Sequence, residues 1–190
     1  MRKLLTLALC LGLLAVLASA ACAYTVVFEA ENYTWIKPSM QVIADDGASG
    51  GSCVYIPLRQ KHSDTEQPPT DDGNLTTKGW APLDATYYLW ANVKWYDGCG
   101  NSFYLFVDDM HPETPPSIGN DGSYGHWHWV LARKTYKLSK GWHTFRFQNR
   151  EDGARLDEFL ITTASPDDGG WVPSGTMPAT PGYVWHPESH

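Results

Sequence analysis

YYLWANVKW, residues 87–95, alternates with a period of two: Tyr87, Leu89, Ala91 and Val93 fall on one face, and Tyr88, Trp90, Asn92 and Lys94 on the other. SFYLFVDD (102–109) repeats the pattern, with Phe103, Leu105 and Val107 set against Ser102, Tyr104, Phe106 and Asp108. YTVVFEAE (24–31), MQVIAD (40–45) and SCVYIPL (52–58) precede this pair, and HWHWVLARK (126–134), GWHTFRFQNR (141–150) and ARLDEFLITT (154–163) follow it. No stretch sustains a helical period with caps. Eight short strands separated by Gly-rich or Asp-rich turns predict an all-β sandwich.

If consecutive strands alternate up and down, the two ends of the sandwich can be sorted from sequence order. With 52–57 taken as up, the long connections 58–84 and 109–125 and the turn 150–153 gather at one end, and the turns 97–100 and 137–141 at the other. Long irregular loops in a compact domain are usually functional or disordered, so the first end is where a site is expected. The same order puts Cys53 and Cys99 at one end, where a disulfide is geometrically possible; the alternative is two small buried apolar side chains.

Residues 1–23, MRKLLTLALCLGLLAVLASAACA, combine a basic start at Arg2 and Lys3, an apolar run from Leu4 to Leu17 and small residues suited to cleavage after Ala20 or Ala23. This reads as a secretory signal, which implies an extracellular protein; the apolar run is short for a membrane span of about 20 residues. The whole chain has 14 basic and 21 acidic residues, and removing Arg2 and Lys3 with the leader leaves 12 against 21. That acidity argues against nucleic acid, which needs a basic footprint, and leaves neutral polymers and calcium open as partners. After Thr163 the composition shifts to SPDDGGWVPSGTMPATPGYVWHPESH, with five prolines and four glycines. The domain is therefore expected over 24–163. Residues 164–190 are expected to form either a disordered tail or an extended arm packed back through Trp171, Tyr183 and Trp185.

In FEAENY (28–33), Glu29 and Glu31 point to one face of a strand with Cα atoms about 7 Å apart. Two carboxylates so placed repel unless solvent, an arginine or a metal ion lies between them. Side chains on one strand do not flank a bond from opposite sides, which argues against a glycosidase pair. Nucleophile-elbow, zinc-protease and phosphate-loop motifs are absent, and His126 with His128 lacks the further ligands a zinc site wants. An enzyme is not expected. Asn32 and Asn74 head N-x-T glycosylation acceptors.

Taken in order, FEAENY, GASGGSCVYIP (47–57), YYLWANVKW with NSFYLFVDD, the WHW pair, LSKGWHTFRF and REDGARLDEFLITT resemble carbohydrate-binding modules of families 6 and 35 and their galactose-binding-like relatives, over about residues 25–163. The resemblance implies a β-jelly-roll with a structural calcium ion held by Glu29, Glu31 and Asp157. It also implies a sugar site in loops at one edge of the sandwich, where an aromatic ring stacks on the apolar face of a pyranose. Trp127, Tyr124 and Trp80 are the candidate aromatics, with Arg150 and Arg155 as polar partners. Many sugar-binding members carry Asn just before the closing Leu-Asp pair, where this chain has Arg155; an arginine there either pairs with a uronate carboxylate or is simply structural. The expected function is thus a secreted, calcium-stabilised module that binds a polysaccharide without catalysis. The rival is a structural protein that self-associates or joins surface proteins through Tyr88, Trp90, Tyr104, Phe106 and the tail.

Overall fold

The computed structural model describes residues 23–59, 73–109, 116–167 and 171–185; the leader lies outside them. Among the described residues no helix is long and apolar enough to cross a membrane. The described residues form twelve strands in two antiparallel sheets: β1 (Thr25–Glu29), β2 (Trp35–Lys37), β3 (Gln41–Ala44), β4 (Ser52–Tyr55), β5 (Asn74–Ala81), β6 (Ala85–Lys94), β7 (Ser102–Val107), β8 (Ser117–Gly119), β9 (His128–Leu131), β10 (Tyr136–Leu138), β11 (Gly141–Asn149) and β12 (Arg155–Thr162). The first sheet runs β10-β6-β12-β4-β3, with β1 also paired to β12 and β9 to β6; the second runs β2-β5-β11-β7-β8.

The alternation in β6 is realised as read: Tyr87, Leu89, Ala91 and Val93 are all fully buried between the sheets. They meet Phe28, Phe145, Phe147 and Phe159, whose rings cluster with centroids 4.8 Å apart for Phe28–Phe159 and 5.1 Å for Phe147–Phe159. The opposite face of β6 is covered over its middle, where Trp90 and Asn92 are buried, while Thr86 is exposed and Tyr88 and Lys94 are half-buried. Trp90 packs with Val27 and Leu160 in a second cluster on the outside of the first sheet, covered by Trp129, Leu131, Trp171 and Met177. The segment after Thr163 is thus partly an arm. Residues 171–177 cross that face, Thr180 pairs with Val27 on the edge of β1, and Val184 bridges to Gly79 on the edge of β5. Burial of Trp90, Tyr104 and Phe106, each 6% exposed or less, removes three of the four aromatics expected to face a partner.

The expected connection 58–84 contains a strand, β5. Its inward row is Leu75, Thr77, Gly79 and Ala81, with too little apolar bulk to signal alternation. Gly79 reads as a turn residue, yet it sits in mid-strand because a Cβ there would lie 2.7 Å from Phe28 and 3.1 Å from Phe145. The short strands β2, β8 and β10 were likewise invisible as alternation. One unforeseen strand between β4 and β6 reverses the direction of everything up to β8. β4 and β6 both run antiparallel to β12, so the turn after β6 lies at the end opposite to the start of β4. Cys53 is consequently buried in β4 while Cys99 is exposed in the 97–100 turn, and both are free thiols; the expected disulfide is absent. Asn74 is buried within β5, where an N-glycan would not fit.

Candidate functional site

Three carboxylates converge. Oxygens of Glu29, Glu31 and Asp157 lie within 4.8 Å of one another, where β1 ends at Glu29, the turn after it carries Glu31, and β12 begins. At this point β12 changes partner: Arg155 and Leu156 pair with β4, Glu158 onward with β1. A register shift between Leu156 and Glu158 turns the Asp157 side chain into the gap where β1 leaves. Asp157 is fully buried. The Ser49 amide donates to both its oxygens at 3.0 Å, the Asn92 amide to Oδ2 at 3.1 Å, and the Ser49 hydroxyl to Glu29 Oε1 at 2.9 Å. Glu29 Oε2 and Glu31 Oε2 are buried with no hydrogen-bond partner.

Without a cation this arrangement is strained electrostatically. Burial, then the Glu29 and Asp157 charges, pushes Glu31 up to about 7. Burial likewise pushes Asp157 to about 7 against the Ser49 hydrogen bond, with Glu29 and Asp45 adding to it. Glu29 is raised by burial, and Glu158 next door is raised to about 7 by burial first. Several hard oxygens, two of them orphaned, suit a calcium ion, which takes six to eight oxygen ligands; the residues present fit the group.

The 45–51 loop links this cluster to an open groove. Ser49 holds the acids, while Gly47 packs so closely on the edge of the Trp127 indole that a Cβ would stand 3.2 Å from its Cδ1 and Nε1. The groove, about 330 Å³, is lined by Gly47, Asn92, Trp127, His128 and Trp129, and by Pro173–Thr176 of the arm. Trp127 and Trp129 form its aromatic side. Asn92 forms part of the floor, and its amide also reaches Glu158 Oε2 at 3.3 Å. His128 is held by Asp121 Oδ2 at 2.8 Å from Nε2 and by the His126 carbonyl at 3.0 Å from Nδ1, which leaves neither ring nitrogen for a metal.

Beside Trp127 lies a small charged rim. Lys94 Nζ is 5.7 Å from the Trp127 ring centroid and 3.2 Å from Asp45 Oδ2. Arg155 bonds the same oxygen, and its guanidinium lies 5.2 Å over Tyr55. Burial raises the Asp45 pKa, but the Gly47 amide, Arg155 and Lys94 outweigh it and hold the carboxyl below its ordinary range. Two cations on one carboxylate leave this trio net positive beside Trp127.

The other expected ligand residues lie elsewhere. Tyr124 is exposed, its hydroxyl near Gly98 in the turn after β6. Arg150 bonds Ser102 and Glu151 beneath Tyr104 in the β11–β12 turn. Trp80 stands at the opposite end of the sandwich, on the outer face of the second sheet, edge-on to Trp142 at 5.3 Å; the hidden β5 carried it away from the expected loop. Asn92, Trp129, Ser49 and the arm were not foreseen as site residues. Asn92 had a faint signal, a small amide between Trp90 and Lys94 on the polar face of β6.

Solved structures share this architecture. The chain matches a family 35 carbohydrate-binding module from Clostridium thermocellum over 71% of its own length and 96% of the module, at 18% identity and TM-score 0.52. It has the fold of a carbohydrate-binding module of the family 35 and family 6 type. A family 35 module from Paenibacillus barcinonensis matches over 74% of this chain and 99% of the module, at 15% identity and TM-score 0.55. The C-terminal family 6 module of a marine laminarinase from Zobellia galactanivorans matches over 74% and 100%, at 20% and 0.51. An exo-β-1,3-galactanase from Phanerochaete chrysosporium is matched over only 29% of its length. Neither a protein-family model nor a curated protein sequence matches the chain.

Proposed function

We propose that this protein is a non-catalytic, exported module that binds a polysaccharide in the groove beside Trp127, with calcium holding the Glu29–Glu31–Asp157 cluster. The observation that carries the reading is the groove itself: two tryptophans on one side, an amide on the floor and hydroxyl-bearing residues opposite. Indole faces take the apolar C–H face of a pyranose, and amides and hydroxyls take its polar rim. The fold shared with the modules above supports it. Calcium would be held by the three carboxylates and would supply charge neutralisation where β1, β4 and β12 meet, with Ser49 and Asn92 orienting the acids.

The surplus charge of Lys94 and Arg155 favours an acidic polymer, with uronate carboxylates at the rim and stacking within. Because both cations are only half-buried, such binding is also sensitive to salt. Titration of soluble neutral and uronate polysaccharides in the presence of calcium tests the whole reading. Binding is expected to fall on Trp127→Ala, by about 2 kcal/mol for loss of an aromatic anchor. Retention of full affinity in Trp127→Ala would move the site elsewhere, and silence across the series would refute glycan binding. The residue division 24–163 for the sandwich remains part of the proposal.

A further inference from the structure

The isolated modules that share this fold are matched over 96–100% of their own length while using only 71–75% of this chain. About a quarter of this chain, a share as large as residues 1–23 and the arm together, thus lies outside the match, yet the arm is tied to the sandwich by several hydrogen bonds. Trp129 Nε1 donates to the Gly175 carbonyl at 2.8 Å, and the Met177 amide to buried Glu158 at 2.9 Å. Further along, the Thr180 amide donates to the Val27 carbonyl at 3.0 Å, and the Trp185 amide to Lys78 at 2.8 Å. Between buried Pro173 and the Met177 anchor, residues 174–176 stand exposed along the groove.

We propose that the arm is the second wall of the binding site and decides which glycan enters it. This rests on the glycan reading above and deepens it. A bare pair of tryptophans on a sheet would be an open platform, suited to the flat face of an insoluble polymer. With Pro173–Thr176 opposite, the site becomes a slot that admits a sugar edge-on, its apolar face against Trp127 and Trp129 and its hydroxyls toward Ser174 and Thr176. At about 330 Å³ it is at the small end of ligand pockets. The ligand class is therefore a soluble chain presenting a sugar unit at an end or side branch, and not a crystalline surface.

The test uses the full chain with calcium, and as probes β-1,3-galactotriose, laminarin, mannan, polygalacturonate and crystalline cellulose. Two variants act on the arm: Trp129→Phe keeps an aromatic ring but removes the donor to Gly175, and Ser174→Trp adds bulk to the arm side alone. At least one soluble probe is expected to bind, and each variant to weaken it about tenfold, the scale of one buried hydrogen bond, with little change in melting temperature. The bound probe is expected to slow proteolytic nicking of residues 171–180, and Trp129→Phe to speed it. Equal affinity in both variants, or binding of cellulose alone, overturns the arm as a wall while leaving glycan binding standing. Failure of the full chain to bind any probe overturns both.

Discussion

At the scale of single residues, the acid cluster makes the sharpest statements. Glu31 and Asp157 sit at about 7 without a cation, above the 3.9–4.3 of an unfolded chain. The folded metal-free protein therefore binds more protons than the unfolded one between those values, and its stability falls as pH rises from about 4 to about 7. Calcium reverses the trend, since it replaces those protons and binds more tightly as they leave. In EDTA the melting temperature is expected to be higher at pH 5.5 than at pH 8. At pH 8, calcium at about a hundred times its dissociation constant is expected to raise it by roughly 5–10 °C. Scanning calorimetry in both buffers decides this; a melting temperature indifferent to EDTA at pH 8 rules out the cation site. Asp157→Asn is expected to abolish the calcium response, because it removes the one fully buried carboxylate of the three.

At the scale of elements, β5 and the 45–51 loop are where glycine does specific work. Gly79 lets the Phe28 and Phe145 rings lie against the β5 backbone, and Gly79→Val is expected to cost about 3 kcal/mol by overpacking, read as a shift in urea midpoint at unchanged slope. The neighbouring Lys78→Ala, on the outer face, is the control and is expected to move it little. Gly47 plays the corresponding part for the groove. Gly47→Val is expected to displace the Trp127 indole and reduce glycan affinity while sparing the calcium response, since Ser49 and not Gly47 holds the acids. Loss of both together would mean that the loop moves as one piece.

At the scale of the whole molecule, strand direction governs which distant residues meet. Because β4 and β6 both run antiparallel to β12 and so point the same way, Cys53 and Cys99 are kept apart. Burial holds the Cys53 thiol up at about 12. A thiol reagent at pH 8 is therefore expected to label Cys99 alone in a folded chain of residues 24–190 and both Cys53 and Cys99 after denaturation, with no change in melting temperature on adding reductant. A second labelled thiol in the native state, or a stability lost with reductant, would contradict the strand order. The arm acts at this scale too. It covers Trp90 on the first sheet and caps the open edge of β5 on the second, so its aromatics stabilise the fold as well as shaping the groove.

Period-two alternation in residues 87–95 and 102–109 sufficed for the sandwich, because one face of each strand must be buried whatever the topology. The closeness of Glu29 and Glu31 was legible from their spacing, but Asp157 was named as their companion only through the family resemblance, since nothing local in the sequence joins the first strand to the last. Trp127 and Arg155 could be named, but not what surrounds them. The direction of β6, the separation of the cysteines and the position of Trp80 all depended on β5, a strand of Thr, Lys and Gly whose identity comes from the phenylalanines packed against it. The groove depended on an arm whose prolines and glycines look the same whether docked or loose. Local patterns record what a segment buries; only the tertiary structure decides against what it is buried, because that is settled by partners far away along the chain.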